Sequence, residues 1–429
     1  MEATSHQLEK INAVISLVDQ GHKRIIISGS AGVGKTFAAK LLLDYYLKKV
    51  LLMNQNTHRW APGSVYVTAP TNKALSILQQ KIIPHNNIVF KTTHSALKLT
   101  RIVEDKKNSV YFAQMKTDKN PPFEGCVMAL IDECSMLESK ILDMLDDFPF
   151  PIIFIGDNQQ LNPIKEYVSP VFNRGYPTIE LTEIIRQGEG NPIIELSRNL
   201  NLIKTKQPNL TSDNTGYIFQ NDRTKIVQNL AEVNGTDELK YLAYTNIEVD
   251  STNKRVRELL YGDRPAIVEL GETLVMDAPK GEHWTNKEVK VEDLKIITEQ
   301  VLVPTSYTKF TFNGPINCEK IKMRVYRVND DFSIVQEHSV SMFNHILAAL
   351  VTNCSKFGWS WKCKFFFEEQ FAKTKYNHAI TIHKSQGSTY KEAVVNVGNI
   401  NFNRNEIERT RMLYTGVTRA SKLLVLNNV

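Results

Sequence analysis

The sequence predicts an α/β protein in which parallel β-sheets are covered by helices. Apolar runs rich in β-branched residues alternate with helical patterns along most of the chain, which is typical of doubly wound sheets. A glycine-rich segment follows the first of these runs and opens a helical pattern. The chain has 429 residues, more than one hydrophobic core usually organises, so several domains are expected.

Four apolar runs predict the strands of the first sheet, because a loop and a helical pattern follow each of them. These runs are Arg24 to Ser28, Val65 to Thr68, Val127 to Ile131 and Ile152 to Ile155. An insertion at 97–125 carries clustered Lys, Asp and Asn residues around a strand-like run from Ser109 to Met115, which predicts a protruding hairpin. The first domain is therefore expected to span 1–186.

The same alternation returns later in the chain and predicts a second α/β domain that is split in sequence, at 187–265 and 375–429. Its strands are predicted at Tyr241 to Tyr244, His378 to Ile382, Ala393 to Val397 and Leu423 to Leu426. Between the two halves, residues 266–374 show short alternating runs and then a helical pattern, which predicts an inserted β-rich, SH3-like module. The aromatic run from Phe357 to Phe367 is interpreted as the core of that module.

Composition excludes several classes of protein. The five cysteines form no C-x-x-C pair, which argues against a zinc site or a disulfide framework. No apolar stretch approaches the length of about 20 residues that a membrane helix needs, and the N-terminus lacks the pattern of a signal peptide. A soluble cytoplasmic protein is expected. The net charge of +6 suits a polyanionic partner and equally an ordinary soluble protein.

The glycine-rich segment Gly29-Ser-Ala-Gly-Val-Gly-Lys-Thr36 has the pattern of a phosphate-binding loop. Gly29, Gly32 and Gly34 allow backbone N–H groups to turn towards phosphate oxygens, and the following helix directs the positive end of its dipole at them. Lys35 is expected to reach the β- and γ-phosphates, and Thr36 to bind Mg²⁺. ATP and Mg²⁺ are therefore the expected cofactors.

Hydrolysis of ATP also needs a carboxylate for the metal and a base for water, and two adjacent acids follow the third predicted strand. Asp132 is expected to hold Mg²⁺ and Glu133 to polarise the attacking water. Adjacent acids can instead merely end a strand, but their combination with the glycine-rich loop favours the catalytic interpretation. Upstream, Gln7 could present its amide to adenine, although a surface glutamine is an equally simple interpretation.

Five further segments resemble superfamily 1 helicases, in the order of that family, and most closely its 1B branch, the RecD-like group. They are Phe154-Ile-Gly-Asp-Asn-Gln-Gln-Leu-Asn-Pro163, Leu181-Thr-Glu-Ile-Ile-Arg-Gln187, Tyr244-Thr-Asn246, Thr381-Ile-His-Lys-Ser-Gln-Gly-Ser388 and Leu413-Tyr-Thr-Gly-Val-Thr-Arg419. The resemblance implies two RecA-like domains and an ATP-dependent DNA helicase, with 5′ to 3′ movement on single-stranded DNA. It implies work on fork DNA in replication or repair, with replication proteins as further partners, in a bacterial or phage-infected cell. Since Arg186 and Arg419, the two candidate arginine fingers, lie in the same chain, a working monomer is favoured.

The resemblance also implies roles for individual residues. Gln160 would sense the γ-phosphate, Gly387 would contact the nucleotide, and Arg186 and Arg419 would act as arginine fingers delivered across a cleft. Thr245 and Asn246 would contact DNA.

Polar loops at strand ends supply further candidates for DNA contact, on the side of the domains opposite the nucleotide. Threonine and histidine side chains can hold phosphates and sugars without reading bases, as a motor on any sequence requires. The candidates are Pro70, Thr71, Asn72, Thr93, His94, Thr381, His383 and Lys384. In bacteriophage members of the resembled group, the hairpin in the first domain parts the duplex, and Phe112 stands at the matching place.

Two other functions remain compatible with these motifs. One is a translocase on single-stranded DNA or RNA that hydrolyses ATP without separating strands. The other is a nucleotide-dependent binding switch, which would show no stimulation by single-stranded DNA.

Overall fold

A computed structural model describes residues 4–57, 63–114, 121–163, 166, 168–183, 190–236, 238–305, 310–311, 314–315 and 317–429. Among these residues, no helix combines the length and the apolar character that crossing a membrane requires.

The described residues of the first domain form eight strands and six α-helices. The strands are β1 (Arg24–Gly29), β2 (Ser64–Ala69), β3 (Ile88–Thr92), β4 (Leu99–Val103), β5 (Val110–Gln114), β6 (Cys126–Ile131), β7 (Ile152–Gly156) and β8 (Thr178–Leu181). The helices are α1 (Ser5–Asp19), α2 (Lys35–Thr57), α3 (Asn72–Lys81), α4 (Thr93–Ala96), α5 (Ser139–Asp146) and α6 (Pro170–Asn173). The four strands predicted from apolar runs are confirmed as β1, β2, β6 and β7.

Six of these strands form one parallel sheet in the order β3-β2-β6-β7-β1-β8. Buried side chains pack on both faces of the sheet, in one core around Ile27 and Leu42 and another around Phe154 and Leu142. This two-sided burial explains why the strands read as continuous apolar runs and not as alternating ones. Since all six strands are parallel, their carboxyl ends meet at one edge of the sheet.

The predicted hairpin consists of β4 and β5, which pair antiparallel from Leu99 opposite Gln114 to Val103 opposite Val110. The loop between the strands is closed by hydrogen bonds between Glu104 and Ser109. No residue of either strand is fully buried, and five of the ten are exposed, so the hairpin stands out from the sheet that carries it.

The second domain begins with α7 (Pro192–Arg198), β9 (Asn209–Leu210), β10 (Gly216–Phe219), α8 (Arg223–Val233), β11 (Leu239–Ala243) and α9 (Asn246–Tyr261). The inserted module follows with β12 (Thr273–Met276), β13 (Glu288–Lys290), β14 (Leu294–Pro304), β15 (Phe310–Thr311), β16 (Gly314–Pro315), β17 (Cys318–Val328), β18 (Phe332–Val335), α10 (Glu337–Lys356) and α11 (Lys362–Glu368). The chain then continues through β19 (Thr374–Tyr376), β20 (Ala379–Thr381), β21 (Tyr390–Asn396), α12 (Val397–Ile400), α13 (Glu406–Val417) and β22 (Ala420–Asn427).

The second large sheet has the order β20-β11-β21-β22-β10-β9, and all its pairs are parallel except the one between β10 and β9. Buried hydrophobic side chains pack on both faces of this sheet as well. In the module, β12 pairs with β13 and with β19, so residues 375 and 376 belong to the module's sheet although the predicted boundary places them in the second domain.

The aromatic run of the module packs mainly inside it, as predicted. Trp361 and Phe367 are buried in one core together with Phe371, and Phe367 stacks on Phe343 of α10. Phe357 is the exception, because 65% of its surface is exposed.

Candidate nucleotide and DNA-binding sites

A cavity of about 940 Å³ lies between the two large sheets, and residues of both domains line it. The first domain contributes the glycine-rich loop, the end of β6 and Gln160, whereas the second contributes Gly387 and Arg419. Residues predicted to bind the nucleotide are thereby brought together around one cavity, although they are far apart in sequence.

The glycine-rich loop joins β1 to α2 and has the conformation that its sequence predicts. Gly32 and Gly34 have φ values of +88° and +80°, in the left-handed region that favours glycine. Gly29 is needed for a different reason, because a Cβ atom there would lie 2.6 Å from Cγ2 of Val33. The Lys35 ammonium group donates hydrogen bonds to the carbonyls of Gly29 and Ser30, at 2.7 and 2.9 Å. These two hydrogen bonds hold the Lys35 ammonium group against the glycine-rich loop.

Asp132 and Glu133 follow β6 at the carboxyl edge of the first sheet. Glu133 has a φ of +51°, which is uncommon for a residue with a side chain, and its backbone N–H donates to Oδ1 of Asp132 at 2.9 Å. Burial raises the pKa of both carboxyl groups. The charge of Asp132 raises the pKa of Glu133 further, whereas the hydrogen bond from the Glu133 backbone N–H lowers that of Asp132. Lys35 opposes this rise at both positions, and Arg419 opposes it at Glu133.

Three buried amide or carboxylate atoms in the cavity have no hydrogen-bond partner among the described residues. They are Nε2 of Gln7, Oε2 of Glu133 and Oε1 of Gln160. Gln7 is 1% exposed and Gln160 is 3% exposed, and an unpaired buried polar atom costs about 1–3 kcal/mol. A polar ligand that supplies partners would remove that cost, so the cavity fits a nucleotide.

The second domain brings Arg419 and Gly387 to the opposite wall of the cavity. Arg419 is 5% exposed, and its guanidinium donates to the carbonyl of Ser388 at 3.0 Å and to the hydroxyl of Thr418 at 3.1 Å. Gly387 has a φ of +73°, and a Cβ atom there would lie 3.8 Å from Oε1 of Glu133. Thr36 also lines this cavity. The predicted second finger, Arg186, lies outside the described residues.

Sequence reasoning missed Tyr414, Arg411 and Asp157, which connect the two walls of the cavity. Tyr414 and Arg411 on α13 form hydrogen bonds with Asp157, Asn158 and Gln160 of the first domain. Tyr414 and Asp157 both stand inside the segments that resemble helicases, so their position was a signal. Nothing in the sequence indicated that the two side chains meet.

The DNA candidates of the first domain lie where β2 and β3 end. Pro70, Thr71 and Asn72 are half-buried, and the hydroxyl of Thr71 caps α3 by accepting from the N–H of Ala74 at 3.2 Å. Thr93, also predicted to contact DNA, is fully buried, and its hydroxyl lies 3.3 Å from that of Thr68.

His94 is half-buried against the hairpin, and its ring centroid lies 5.1 Å from that of Phe112. Burial lowers the pKa of His94. Phe112 itself is 55% exposed and Tyr111 is 49% exposed. Two DNA candidates from separate segments therefore form one aromatic contact.

The candidates of the second domain lie at the carboxyl ends of β11 and β20. Thr245 caps α9 and accepts from the N–H of Glu248 at 3.3 Å, while Asn246 is exposed. Thr381 is 8% exposed, and its hydroxyl accepts from the N–H of Lys384 at 3.4 Å.

His383 and Lys384 each face a carboxylate. Nε2 of His383 lies 3.6 Å from Oε1 of Glu408, and the Lys384 ammonium group lies 2.7 Å from Oδ1 of Asp277 in the module. Burial lowers the pKa of His383, although Glu408 opposes this. Both side chains remain partly exposed.

The expectation that DNA and nucleotide candidates occupy opposite sides holds in only one domain. In the second domain, Gly387 and Arg419 precede β21 and β22, whereas the DNA candidates follow β11 and β20. In the first domain, both sets follow parallel strands and share one edge, which corrects the prediction. The two sets of candidates are separated along this edge of the sheet, because β2 lies three strands from β1, or about 14 Å at the usual strand spacing.

Contacts from the module reach the hairpin of the first domain. The guanidinium of Arg101 on β4 bonds to Glu369 at 2.6 Å and lies 5.4 Å from the ring centroid of Phe365. The carbonyl of Asp105 accepts from the N–H of Trp361 at 3.1 Å, and its carboxylate bonds to the hydroxyl of Ser360. The hairpin is thus held by residues of the distant module.

Comparison with known proteins defines the class. The model of the AAA domain family matches residues 5–220, about half of the chain, and that of the UvrD-like helicase C-terminal domain matches 376–427. The chain is 24% identical to uncharacterized protein R530 of Acanthamoeba polyphaga mimivirus, with 96% of this chain and 97% of that protein covered. It is 26% identical to the ATP-dependent DNA helicase dda of Enterobacteria phage T4, with 97% of each chain covered.

Among solved structures, the chain is similar to one of Pif1 helicases at forked double-stranded DNA, with a TM-score of 0.52 at 17% identity, covering 99% of this chain and 92% of that one. This likeness concerns the fold, which consists of two RecA-like domains. The fold, the cavity and the matches define an ATP-dependent DNA helicase that acts on single-stranded DNA. Within that class, the chain belongs to the AAA domain family and to the superfamily 1B helicases.

Proposed function

We propose that this helicase moves 5′ to 3′ along single-stranded DNA and opens forked duplexes by hydrolysing ATP in the cavity between its two RecA-like domains. One observation carries the proposal. Gln7, Glu133 and Gln160 of the first domain present unpaired buried polar atoms to a cavity that Arg419 of the second domain also lines. The side chains that must act together in ATP hydrolysis are therefore divided between the two domains.

The residues of the cavity can be given roles in hydrolysis. The glycine-rich loop and Lys35 bind the phosphates, and Gln7 binds the adenine edge. Thr36 and Asp132 supply the hard oxygen ligands that Mg²⁺ prefers, and the ion neutralises phosphate charge when it is bound. Glu133 orients the attacking water and accepts its proton.

Arg419 and Arg186 make hydrolysis depend on closure of the cavity. An arginine finger is worth about 10³- to 10⁵-fold in rate in other NTPases, and it acts only when it lies at the transferred phosphate. Gln160, in the loop after β7, responds to loss of the γ-phosphate. Each cycle of binding and hydrolysis therefore closes and opens the two domains.

Movement along DNA follows if the two domains hold the strand at different points. Pro70, Thr71, Asn72 and His94 belong to the first domain, and Thr245, Asn246, His383 and Lys384 belong to the second. None of these groups needs to recognise a particular base, since contacts with phosphates and sugars carry no sequence information. The direction 5′ to 3′ is proposed from membership in superfamily 1B.

Phe112 is proposed as the wedge that separates the strands. Stacking of a base on an aromatic ring is worth about 1–3 kcal/mol, and a duplex step is worth roughly 1.4 kcal/mol. One exposed ring can therefore replace the stacking that one base pair loses. We further propose that the chain works as a monomer at replication or repair forks in the cytoplasm of a bacterial or phage-infected cell.

The test is strand displacement on forked DNA that carries either a 5′ or a 3′ single-stranded tail, beside an ATPase assay with single-stranded DNA. We expect displacement from the 5′ tail and ATPase activity that DNA stimulates. Displacement only from the 3′ tail would refute the proposed direction. DNA-stimulated ATPase activity without any displacement would support the translocase alternative, and ATPase activity that DNA does not affect would support the switch.

A further inference from the structure

Tyr414 of the second domain reaches into the first domain beside the nucleotide cavity. Its side chain is 3% exposed, and its hydroxyl donates a hydrogen bond to Oδ2 of Asp157 at 2.7 Å. The Tyr414 hydroxyl oxygen also accepts a hydrogen bond from the backbone N–H of Ala31 at 3.3 Å. A phenol has one proton to donate and lone pairs that accept, so both contacts form at once.

Asp157 is a well-defined partner for this hydroxyl. It follows β7, is 2% exposed, and accepts from the N–H of Gln159 at 2.9 Å through its other oxygen. Burial and the adjacent Asp157 carboxylate raise the pKa of Tyr414, which keeps the phenol protonated and able to donate. The bond thus joins a neutral donor to a buried carboxylate, a stronger kind of hydrogen bond than a neutral pair.

Arg411 strengthens the same connection one helical turn earlier. Its guanidinium donates to the carbonyls of Asn158 and Gln160, both at 2.6 Å. Residues three positions apart lie on one face of a helix, so Arg411 and Tyr414 present a single surface of α13 to the loop that carries Gln160. Arg419 lies two residues beyond α13, and its Nε donates to the carbonyl of Thr415 within that helix at 3.0 Å.

We propose that Tyr414 is a positioning residue for ATP turnover, whose hydroxyl fixes α13, and with it Arg419, against both the glycine-rich loop and the loop that carries Gln160. The inference rests on the proposed function, because it assigns Tyr414 an effect through Gln160 and Arg419. Ala31 connects the hydroxyl to the loop that binds phosphate. A movement of the glycine-rich loop when the phosphates change therefore shifts α13 through the Tyr414 side chain.

Replacement of Tyr414 by Phe tests this, because it removes only the hydroxyl and keeps the buried ring. We expect kcat of the DNA-stimulated ATPase to fall roughly 10- to 100-fold, the factor that corresponds to loss of one hydrogen bond to a charged group. The KM for ATP and the Kd for a fluorescent nucleotide should change less than about threefold, because Tyr414 acts on the arrangement for turnover and not on ground-state binding. A purely structural role would not separate kcat from binding in this way.

Tyr176→Phe is the matched control. The Tyr176 hydroxyl also donates to a carboxylate, Asp146, at 2.5 Å in the same domain, but Tyr176 does not line the cavity. It should lower the melting temperature about as much as Tyr414→Phe does and leave kcat unchanged. Combining Tyr414→Phe with Asp157→Asn should lower kcat no further than the stronger single change, since the two residues share one bond.

The outcomes distinguish the two proposals. If the wild-type chain shows no ATPase activity with DNA, the proposed function and this inference both fail. If the wild type is active but Tyr414→Phe retains kcat within about twofold, or lowers kcat and nucleotide affinity by equal factors, the inference alone is overturned. Additive effects of Tyr414→Phe and Asp157→Asn would also overturn it.

Discussion

Glu133 combines a left-handed backbone with a buried carboxylate that faces the cavity. Glu133→Gln keeps the size of the side chain but removes the base, so ATP binding should persist while turnover falls by about 10²- to 10⁴-fold. Equilibrium binding of a fluorescent nucleotide and steady-state ATPase rates measure the two effects. Glu138→Gln, an exposed glutamate at the start of α5, serves as control and should leave both unchanged. Near-normal turnover in Glu133→Gln would contradict the role of base.

His378 is a second buried group with a measurable consequence. Burial lowers its pKa from 6.5 to about 4, and the nearby Lys240 and Arg257 add to the effect. Above pH 6.5 neither the folded nor the unfolded form is protonated at this site. Below that value only the unfolded form takes up the proton, so stability falls as the pH falls from 6.5 towards 4.

At pH 5 this loss should amount to about 2 kcal/mol, which lowers the melting temperature. We expect His378→Gln to show a smaller drop in melting temperature between pH 7.5 and pH 5 than the wild type does. His345→Gln, at an exposed position of α10, should have the same melting temperature as the wild type at both pH values. An unchanged drop in His378→Gln would mean that His378 does not contribute to acid sensitivity.

The sequence identified residues whose function follows from a local sequence motif. It did not identify residues whose function depends on contacts with residues that are distant in sequence. The glycine-rich loop and Glu133 follow strands directly, so the local pattern was sufficient. Thr93 and Thr381 stand in comparable loops, yet their hydroxyls are used by Thr68 and by a backbone N–H. Tyr414 was missed because its partner, Asp157, is separated from it by most of the chain.

The hairpin of β4 and β5 carries two exposed aromatic rings on one strand. Phe112 and Tyr111 are adjacent on β5, so their side chains point to opposite faces, and only Phe112 contacts His94. Phe112→Ala should reduce strand displacement roughly 10-fold, because one stacking interaction of about 1–3 kcal/mol is lost. The ATPase activity with single-stranded DNA should change much less.

Tyr111→Ala provides the comparison, since it removes a ring of similar exposure from the other face of the same strand. It should affect displacement less than Phe112→Ala does. Equal losses of displacement and ATPase activity in Phe112→Ala would argue against a wedge, and equal losses in the two variants would argue against a specific role of Phe112.

The two large sheets illustrate how far elements can be predicted. Four strands of each sheet were predicted, because strands buried on both faces produce continuous apolar runs. The sequence did not predict β3, β8, β9 and β10, which lie at or next to the edges of the sheets and are only partly buried. The position of the DNA candidates relative to the cavity was wrong for the first domain, since the order of strands in a sheet is set by long-range pairing. No local pattern shows that β2 lies three strands from β1.

At the scale of the whole molecule, the contact between hairpin and module connects the first domain to the second without passing through the cavity. Arg101 makes two contacts between the hairpin and the module, a hydrogen bond to Glu369 and a cation–π contact with the ring of Phe365. Both side chains of the ion pair are partly exposed, at 41% and 54%, so the pair alone is worth at most about 1 kcal/mol. Contact with the aromatic ring adds about 0.5–1 kcal/mol.

If the hairpin separates strands, it must resist the duplex that is pulled against it, and the module supplies that resistance. Arg101→Ala should therefore lower strand displacement by roughly 3- to 20-fold, the factor that the two contacts together support. The ATPase activity with single-stranded DNA should stay within about twofold, because Arg101 does not line the cavity. Displacement on forked DNA and ATPase rates under the same conditions measure the two effects.

Arg174→Ala is the control, because Arg174 also pairs with a carboxylate, Asp143, on the surface of the first domain but lies outside the hairpin. It should leave displacement unchanged. Arg101→Lys retains the charge but not the planar group that lies over Phe365, so it should restore only part of the activity. Adding Glu369→Ala to Arg101→Ala should cause little further loss, since the ion pair is already broken. Displacement by Arg101→Ala at the level of Arg174→Ala would mean that the hairpin withstands the fork without the module.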